Sequence, residues 1–313
     1  MGKLPLVSIV TPSFNQGRFL EATIRSVLEQ DYAPLEYILI DGGSTDESLS
    51  IIQAYAPRLS HWVSEADRGQ SQAINKGLKL AHGEILGWLN SDDMLAPGAV
   101  SRAVAVFTHE PQVDVVYGRL ERIDEDGHQI PTPILPKDRL EFSAQHVLGE
   151  CVVNQPGSFW RRAIMERAGV LDEGLQYAMD YEYWSRLALH GARFRHLPQV
   201  AASFRLSANS KTVAHAAEHA GEQLRVLELI SSQPELAQKI ELSKAEIDRR
   251  VKRTRAVFFL QAFYGEVKRS HWRQAFGWLG AAVQSSPAAL FDRRWLDLGL
   301  ASIRRRSRRR PGR

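Results

Sequence analysis

Four clusters in this sequence combine residue types and spacing that suit chemistry on a phosphate-bearing substrate. Asn90-Ser91-Asp92-Asp93 follows the apolar run Ile85-Leu86-Gly87-Trp88-Leu89. Carboxylates at the end of a buried strand are hard oxygen donors suited to Mg2+ or Mn2+, and an ion held there can neutralise a diphosphate leaving group. The same tetrapeptide is also good turn chemistry. Asp41 closes a second apolar run, Leu35-Glu36-Tyr37-Ile38-Leu39-Ile40. A carboxylate there can accept a hydrogen bond from a nucleobase N–H, which favours uracil or thymine, or it can close an Asp-Gly turn. In Glu65-Ala66-Asp67-Arg68-Gly69-Gln70-Ser71, Arg68 can face phosphate or base and Gly69 permits close backbone approach; the alternative is a helix-capping loop with a solvated ion pair. Asp180, in Met179-Asp180-Tyr181-Glu182-Tyr183-Trp184, falls at the expected start of a helix. It can take the proton of an attacking hydroxyl or stabilise the helix dipole.

The elements that must position these clusters alternate. Residues 7–12 read as a buried strand ended by Pro12, and 18–30 as an amphipathic helix with Phe19, Leu20, Ile24, Val27 and Leu28 on its apolar face. A strand at 35–40 follows, then a helix near 46–56 with Ser44 or Thr45 as its cap. Further strands are expected at 60–63, 84–89 and 113–118, and further helices at 70–81 and 97–108. Such alternation with short turns implies a mostly parallel sheet covered by helices on both faces. Ligands of such sheets bind at the carboxyl ends of the strands, and polar clusters follow the strands at 7–12, 35–40 and 84–89. The pattern loosens over 120–150, punctuated by Pro131, Pro133 and Pro136. Residues 156–205 then suggest a hairpin-like strand, helices near 161–168 and 180–190 and a strand near 193–204. Residues 213–300 read as helical, with breaks near Pro234 and Pro287.

Composition narrows the classes. The 313 residues hold 40 Lys+Arg against 36 Asp+Glu, a net charge of +4. Seven Arg lie in residues 301–313 with no acid; without them 33 basic residues face 36 acidic ones, a balance of −3 over residues 1–300. The basic excess is therefore a tail, and the body lacks the basic face a nucleic-acid partner needs. Cys151 is the single cysteine, which excludes an intrachain disulfide framework and a multi-cysteine zinc site and fits a reducing cytosol. No signal-peptide-like segment or run of 18 apolar residues is present. The phosphate loop G-x-x-x-x-G-K-[ST], the dinucleotide fingerprint G-x-G-x-x-G and the hydrolase elbow G-x-S-x-G are all missing. His215 and His219, four residues apart, read as a solvated helix face.

Taken in order, these motifs resemble family 2 glycosyltransferases, enzymes of the GT-A fold that use nucleotide-sugar donors. The resemblance covers roughly residues 5–210 and rests on Val7-Ser8-Ile9-Val10-Thr11-Pro12-Ser13-Phe14-Asn15, Ile40-Asp41-Gly42-Gly43-Ser44-Thr45-Asp46, Gly69-Gln70-Ser71 with Asn75-Lys76-Gly77, Asn90-Ser91-Asp92-Asp93, Gln155-Pro156-Gly157-Ser158-Phe159-Trp160 and Met179-Asp180-Tyr181-Glu182. It implies an α/β fold of GT-A type over residues 1–212; outside the resemblance, the apolar pattern predicts a helical extension over 213–300 and the composition a basic, disordered tail over 301–313. It implies that Thr11, Pro12, Ser13 and Asn15 line the nucleotide pocket, that Asp41 meets the base and that Arg68 and Gln70 lie beside base or phosphates. Asp92 matches the metal-binding Asp of the family's DxD motif, with Mn2+ or Mg2+ as the ion. Asn90 stands where that motif usually has Asp. Ser91 and Asp93 would complete the donor site, Asp93 facing the sugar. Asp180 matches the catalytic base of an inverting transfer. Gln155, Pro156, Gly157, Trp160 and Glu182 would border the acceptor, a glycan or lipid-linked hydroxyl, with Trp160 as a stacking platform. Ser207 stands where many relatives carry a metal- or diphosphate-holding His.

Two rival functions fit the residues less well. A nucleotidyltransferase needs a Gly- and Arg/Lys-rich N-terminal loop, where this chain has Pro12-Ser13-Phe14-Asn15-Gln16-Gly17. A non-catalytic nucleotide-sugar binder or assembly protein has no need of both Asp92 and Asp180. Over 256–284, Ala256, Phe259, Leu260, Phe263 and Val267, then Trp272, Ala275, Phe276, Leu279 and Val283, predict two amphipathic helices joined near Ser270. The tail adds an anionic membrane surface as an expected partner. The expected location is cytoplasmic, peripheral at the inner face of the membrane, in surface polysaccharide or glycolipid biosynthesis.

Overall fold

The first apolar runs are too short for helices and buried on both faces, so they pair side by side. In the computed structural model, which describes residues 4–131, 141–149, 151–207 and 215–288, β1 (Val7–Ser13) pairs in parallel with β2 (Leu35–Asp41) and with β4 (Ile85–Trp88). β2 pairs in parallel with β3 (His61–Ser64). All seven residues of β1 are buried, as a continuous apolar run in a doubly covered sheet requires. The parallel crossovers are α1 (Gly17–Leu28), α2 (Ser48–Tyr55) and α3 (Gln70–Leu80). Leu20, Ile24 and Val27 of α1 enter the same core as Ile9, Tyr37 and Leu39 of the sheet.

β5 (Met94–Leu95), α4 (Ala99–His109), β6 (Val115–Ile123) and β7 (Gln129–Ile130) follow. Then come β8 (Ser158–Arg161), α5 (Arg162–Ala168), α6 (Met179–Leu189) and β9 (Phe194–Arg205). The strand order is β3-β2-β1-β4-β8-β6-β9-β5, with β7 on β6. β8 is antiparallel to both β4 and β6, while β6 and β9 run parallel. The sheet is thus parallel where strands and helices alternate and mixed beyond β4. This topology brings the ends of β1, β2, β3 and β4 and the start of β8 to one edge.

Two local expectations change. Pro12 does not end β1: pairing runs on to Ser13, whose carbonyl accepts the Gly42 N–H at 2.8 Å. Neither Ser44 nor Thr45 caps α2: the cap position is Glu47, whose side chain makes no capping bond, and Asp46 just before it accepts the Ser48 N–H at 3.0 Å and the Gly17 N–H of α1 at 2.9 Å.

The chain divides into two compact units, Met1–Ser210 and Lys211–Arg313. The second holds α7 (Ala216–Ser231), α8 (Leu236–Lys239), α9 (Lys244–Lys268) and α10 (Trp272–Ser285). Ser243 caps α9 by accepting the Glu246 N–H, the usual bond of a serine N-cap. Ser270, at φ +65°, turns the chain between α9 and α10. Phe259 and Trp278 close that hairpin with ring centroids 5.7 Å apart. Pro133, Pro136 and the 301–313 tail lie outside the described residues.

α3 seats on β1 through Gly77: a Cβ built there would stand 2.3 Å from Val10 Cγ1. Gly77→Ala is expected to lower the unfolding free energy by roughly 1–3 kcal/mol, overriding the ~1 kcal/mol that Ala gains in helix propensity. Urea unfolding measures the difference; an unchanged or higher midpoint would contradict the packing.

Candidate functional site

The backbone of the turn after β4 is fixed from two sides. Asp93 N–H closes it on the Asn90 carbonyl at 3.1 Å. Below, the Thr23 hydroxyl of α1 bridges the carbonyls of Ser91 and Asp93 at 2.9 and 2.7 Å. From β9, Arg205 donates its Nε–H to the Asp92 carbonyl at 2.8 Å and its backbone N–H to Asp93 Oδ1 at 3.0 Å. Its Nη1 reaches the carbonyls of Asp124 and Glu125 at 2.9 and 3.1 Å, and its guanidinium lies 4.7 Å from the Phe19 ring centroid.

Held this way, the turn carries an electrostatic load. Asp93 is fully buried, and its Oδ2 has no hydrogen-bond partner. Burial first, and the neighbouring Asp92 charge second, push the Asp93 carboxyl well above the ordinary carboxylate range. The Arg205 N–H and its positive charge act against both. Asp92 itself is half-buried. Two adjacent carboxylates, one with an unpartnered buried oxygen, fit a hard divalent cation in donor type and charge. Among the described residues, two other groups gather metal-ligating atoms within 4.8 Å: Glu36, His61 and His82, and Asp124, Asp126 and His128. The first belongs to the starts of β2 and β3 and the loop before β4, away from the carboxyl edge; the second lies in the β6–β7 turn that Arg205 shares.

Asn90 has a role that Asp could not fill. Gln70 Nε2 donates to Asn90 Oδ1 at 2.7 Å, Asn90 Nδ2 to Gln155 Oε1 at 3.0 Å, and Gln155 Nε2 to the Trp88 carbonyl at 2.9 Å. This chain of carboxamides ties the start of α3, the end of β4 and the approach to β8. A carboxylate at position 90 has no N–H to donate.

The β1 and β2 ends are stitched together. Asn15, at φ +51°, donates its backbone N–H to Ser44 Oγ at 2.8 Å and accepts the Thr45 N–H at 2.8 Å. Asp41 is fully buried. Its Oδ2 accepts from Gly43 N, Ser44 N and Ser64 Oγ at 3.1, 2.9 and 2.7 Å, and its Oδ1 from Ser44 Oγ. Asp41 therefore shapes the turn and shows no surface to a base in this conformation. Thr11 also faces inward, accepting from Tyr37 Oη at 3.0 Å. Pro12 and Ser13 are buried, and Ser13 Oγ has no partner. Arg68 is the opposite case: its side chain is 75% exposed, held only by Glu173 at 2.6 Å, an exposed type of pair that constrains little.

Asp180 opens α6 and is half-buried, its Oδ1 accepting the Tyr181 N–H at 2.7 Å. Trp184, one turn on and on the same face, stacks on Trp88 of β4 at 5.5 Å and 7°. Trp160 of β8 packs edge-on to both at 5.6 Å, with Tyr183 beside it at 5.8 Å. The stack fixes the start of α6 to the end of β4. It also corrects the acceptor reading. Trp160 has no exposed surface and glues the core instead of offering a stacking face. Gln155, Pro156 and Gly157 are buried too. Gly157, at φ +73°, lies where a Cβ would come within 2.7 Å of Ala201 Cβ. Both oxygens of Glu182 hold Arg186, at 2.7 and 2.9 Å, and Arg186 clamps the carbonyls of Ala168 and Val170.

Arg205 and Thr23 were not singled out as functional because their contacts span 113 and 70 residues of sequence. Phe14, exposed at 59% beyond β1, carried a signal: an aromatic directly after the Pro12-Ser13 pair.

Residues 8–167 match the family model described as glycosyl transferase family 2. An uncharacterized glycosyltransferase of Mycobacterium tuberculosis is 33% identical over 196 residues, 60% of this chain and 71% of that protein. One from Rickettsia typhi is 29% identical over 189 residues, 58% of each, so the chain spans little more than half of that relative. The chondroitin synthase of Escherichia coli is 29% identical over 205 residues, 63% of this chain and 28% of that one. Among solved structures, S. aureus TarS 1–349 in complex with UDP-GlcNAc superposes at TM-score 0.62 and 18% identity, covering 89% of this chain and 81% of that one. The mannosyltransferase PcManGT of Pyrobaculum calidifontis, in complex with GDP-Man and Mn2+, gives TM-score 0.62 and 18% identity, covering 92% and 88%. At these identities the structures show a shared fold.

Asn90→Asp is expected to destabilise the chain by roughly 1–3 kcal/mol, since it removes the donor to buried Gln155 Oε1. It also sets a third carboxylate beside two. A group whose folded pKa is raised binds more protons folded than unfolded, so stability falls as pH rises through that range. The deficit against wild type should therefore grow between about pH 5 and pH 8 in urea melts; a deficit constant with pH would contradict the charge argument.

Proposed function

The chain belongs to glycosyl transferase family 2, and from that premise we propose that it moves a sugar from a nucleoside diphosphate sugar to a hydroxyl of a glycan or lipid-linked acceptor, inverting the anomeric carbon. The observation that supports this reading is the Asp92–Asp93 pair at the end of β4, a strand that packs through Trp88 on Trp184 of α6, the helix near whose start Asp180 lies. Asp92 would hold a divalent cation, Mn2+ or Mg2+. When bound, that ion supplies positive charge to the diphosphate and improves it as a leaving group. The Mn2+ and GDP-Man of the archaeal mannosyltransferase and the UDP-GlcNAc of TarS support a nucleotide-sugar donor.

The chain's own residues would do the rest. Asp180 accepts the proton of the acceptor hydroxyl as its oxygen attacks the anomeric carbon, and the bond to the diphosphate breaks on the opposite face. Arg68, free of burial, swings from Glu173 to the diphosphate or base. The proposed base is uracil or thymine: Asp41 Oδ1 accepts one hydrogen bond and keeps a lone pair for a pyrimidine N–H once Ser44 turns aside. Asn15, Ser13, Gln70, Asn90 and Ser91 build the walls of the donor site, and Asp93 faces the sugar. The likeness to chondroitin synthase supports surface polysaccharide or glycolipid assembly as the setting.

Asp180→Asn should reduce transfer by about 10²- to 10⁴-fold, the usual contribution of a general base, with donor affinity nearly unchanged. Wild-type turnover by that variant would remove Asp180 from the mechanism. Asp92→Ala should abolish the difference in donor affinity with and without Mn2+ in titration calorimetry. A thermal-shift screen of nucleotide sugars with Mn2+ identifies the donor, because a ligand that binds the native state raises its melting temperature. Donor binding without any release of nucleoside diphosphate, with or without acceptor, would instead favour a binding protein.

A further inference from the structure

At the end of the sheet opposite the Asp92–Asp93 turn, three side chains from three elements converge. Glu36 lies at the start of β2, His61 opens β3, and His82 sits in the loop between α3 and β4. The register explains the meeting. Ile38 pairs with His61, and side chains two apart on a strand share a face, so Glu36 and His61 are diagonal neighbours on one face of the sheet. His82 arrives on a loop that approaches β1 closely through Gly83: a Cβ there would stand 2.5 Å from Ser8 Oγ and 2.6 Å from the Ser8 backbone N.

The carboxylate of the group is buried and fixed. Glu36 Oε2 accepts the Ser8 hydroxyl and, at 2.7 Å, the His82 backbone N–H, while Ser8 Oγ accepts the Gly83 N–H at 2.7 Å. Glu36 Oε1 is left facing the His82 ring, whose Nδ1 lies 2.9 Å away. The two imidazoles are exposed and face each other, with ring centroids 6.3 Å apart and a tilt of 36°. Ligating atoms of all three residues lie within 4.8 Å of one another. A tetrahedral Zn2+ holds its ligand atoms roughly 3.3 Å apart, and rotation of exposed rings closes that difference. Two imidazoles with one carboxylate suit Zn2+ and not the harder Mg2+. The Ser8 and amide bonds to Glu36 are the outer contacts that orient a ligating carboxylate. We propose that Glu36, His61 and His82 form a Zn2+ site, with water as the fourth ligand, that ties β3 and the α3–β4 loop to β2. β3 is the edge strand, four residues long and paired only with β2, so it is the strand that gains most from such a tie. The proposal depends on neither the donor nor an ion at Asp92.

The test titrates the full chain, free of any purification tag, with Zn2+ or Mg2+ in calorimetry, thermal melts and amide hydrogen exchange. Zn2+ is expected to bind, to raise the melting temperature and to slow exchange over residues 61–64; Mg2+ should leave exchange in β3 unchanged. His61→Ala and His82→Gln should each weaken Zn2+ binding tenfold or more, and Asp92→Ala should leave it within about twofold. Where more than one ion binds, one equivalent should disappear in each His variant. Both imidazoles are exposed, so the variants should keep the circular dichroism and metal-free melting temperature of the parent; if His82→Gln does not, His61→Ala decides alone. Absence of Zn2+ binding overturns the proposal. So does Zn2+ binding that leaves β3 exchange unchanged, affinity equal to the parent's in the His variants, or loss of the ion in Asp92→Ala.

Discussion

Two carboxylates cannot both leave water and both keep their charge unless something positive stands near. That constraint organises the edge of the sheet. Asp93 lies at full burial beside Asp92, and the nearest fixed cation, Arg205, spends its donors on backbone carbonyls and on one Asp93 oxygen. The arrangement is therefore short of positive charge by construction. An ion and a nucleotide diphosphate are complementary to it as a pair: the ion answers the carboxylates, and the diphosphate answers the ion.

The cost of that arrangement is met by rigidity elsewhere. Thr23 and Arg205 hold the peptide groups of the turn, so the carboxylates cannot relax by moving apart. Beneath them Trp88, Trp160, Tyr183 and Trp184 fill the space between β4, β8 and α6. Preorganisation of this kind spares a site the reorganisation that water would undergo as charge develops. The rim behaves differently. Arg68 hangs on an exposed ion pair, and Phe14 faces solvent. The interior of the edge is thus fixed by packing and hydrogen bonds, and its rim is not.

Much of this was legible in the sequence. The alternation of apolar runs and amphipathic segments gave the parallel half of the sheet, because each run is local and its period is its own. Asp92 and Asp180 stood out since each sits at the boundary of a strongly patterned element. The antiparallel half was less visible: β8 is four residues long, and its partners β4 and β6 are tens of residues away. Side-chain direction was also hidden. The resemblance implied a platform at Trp160, and only the packing of Trp88 and Trp184 reveals it as interior. Asp41 was legible as the polar end of a strand, but its partners were not: Ser44, Ser64 and two backbone amides engage it in this conformation.

The line from Gln70 through Asn90 and Gln155 to the Trp88 carbonyl consists only of amides. An amide neither takes up nor releases a proton across the range in which carboxylates and imidazoles titrate. The registry of three loops is therefore blind to acidity, whereas the carboxylates it surrounds are not. Proton-sensitive carboxylates thus sit beside a proton-insensitive link, and a change in pH that alters their charge leaves the hydrogen bonds of that link as they are.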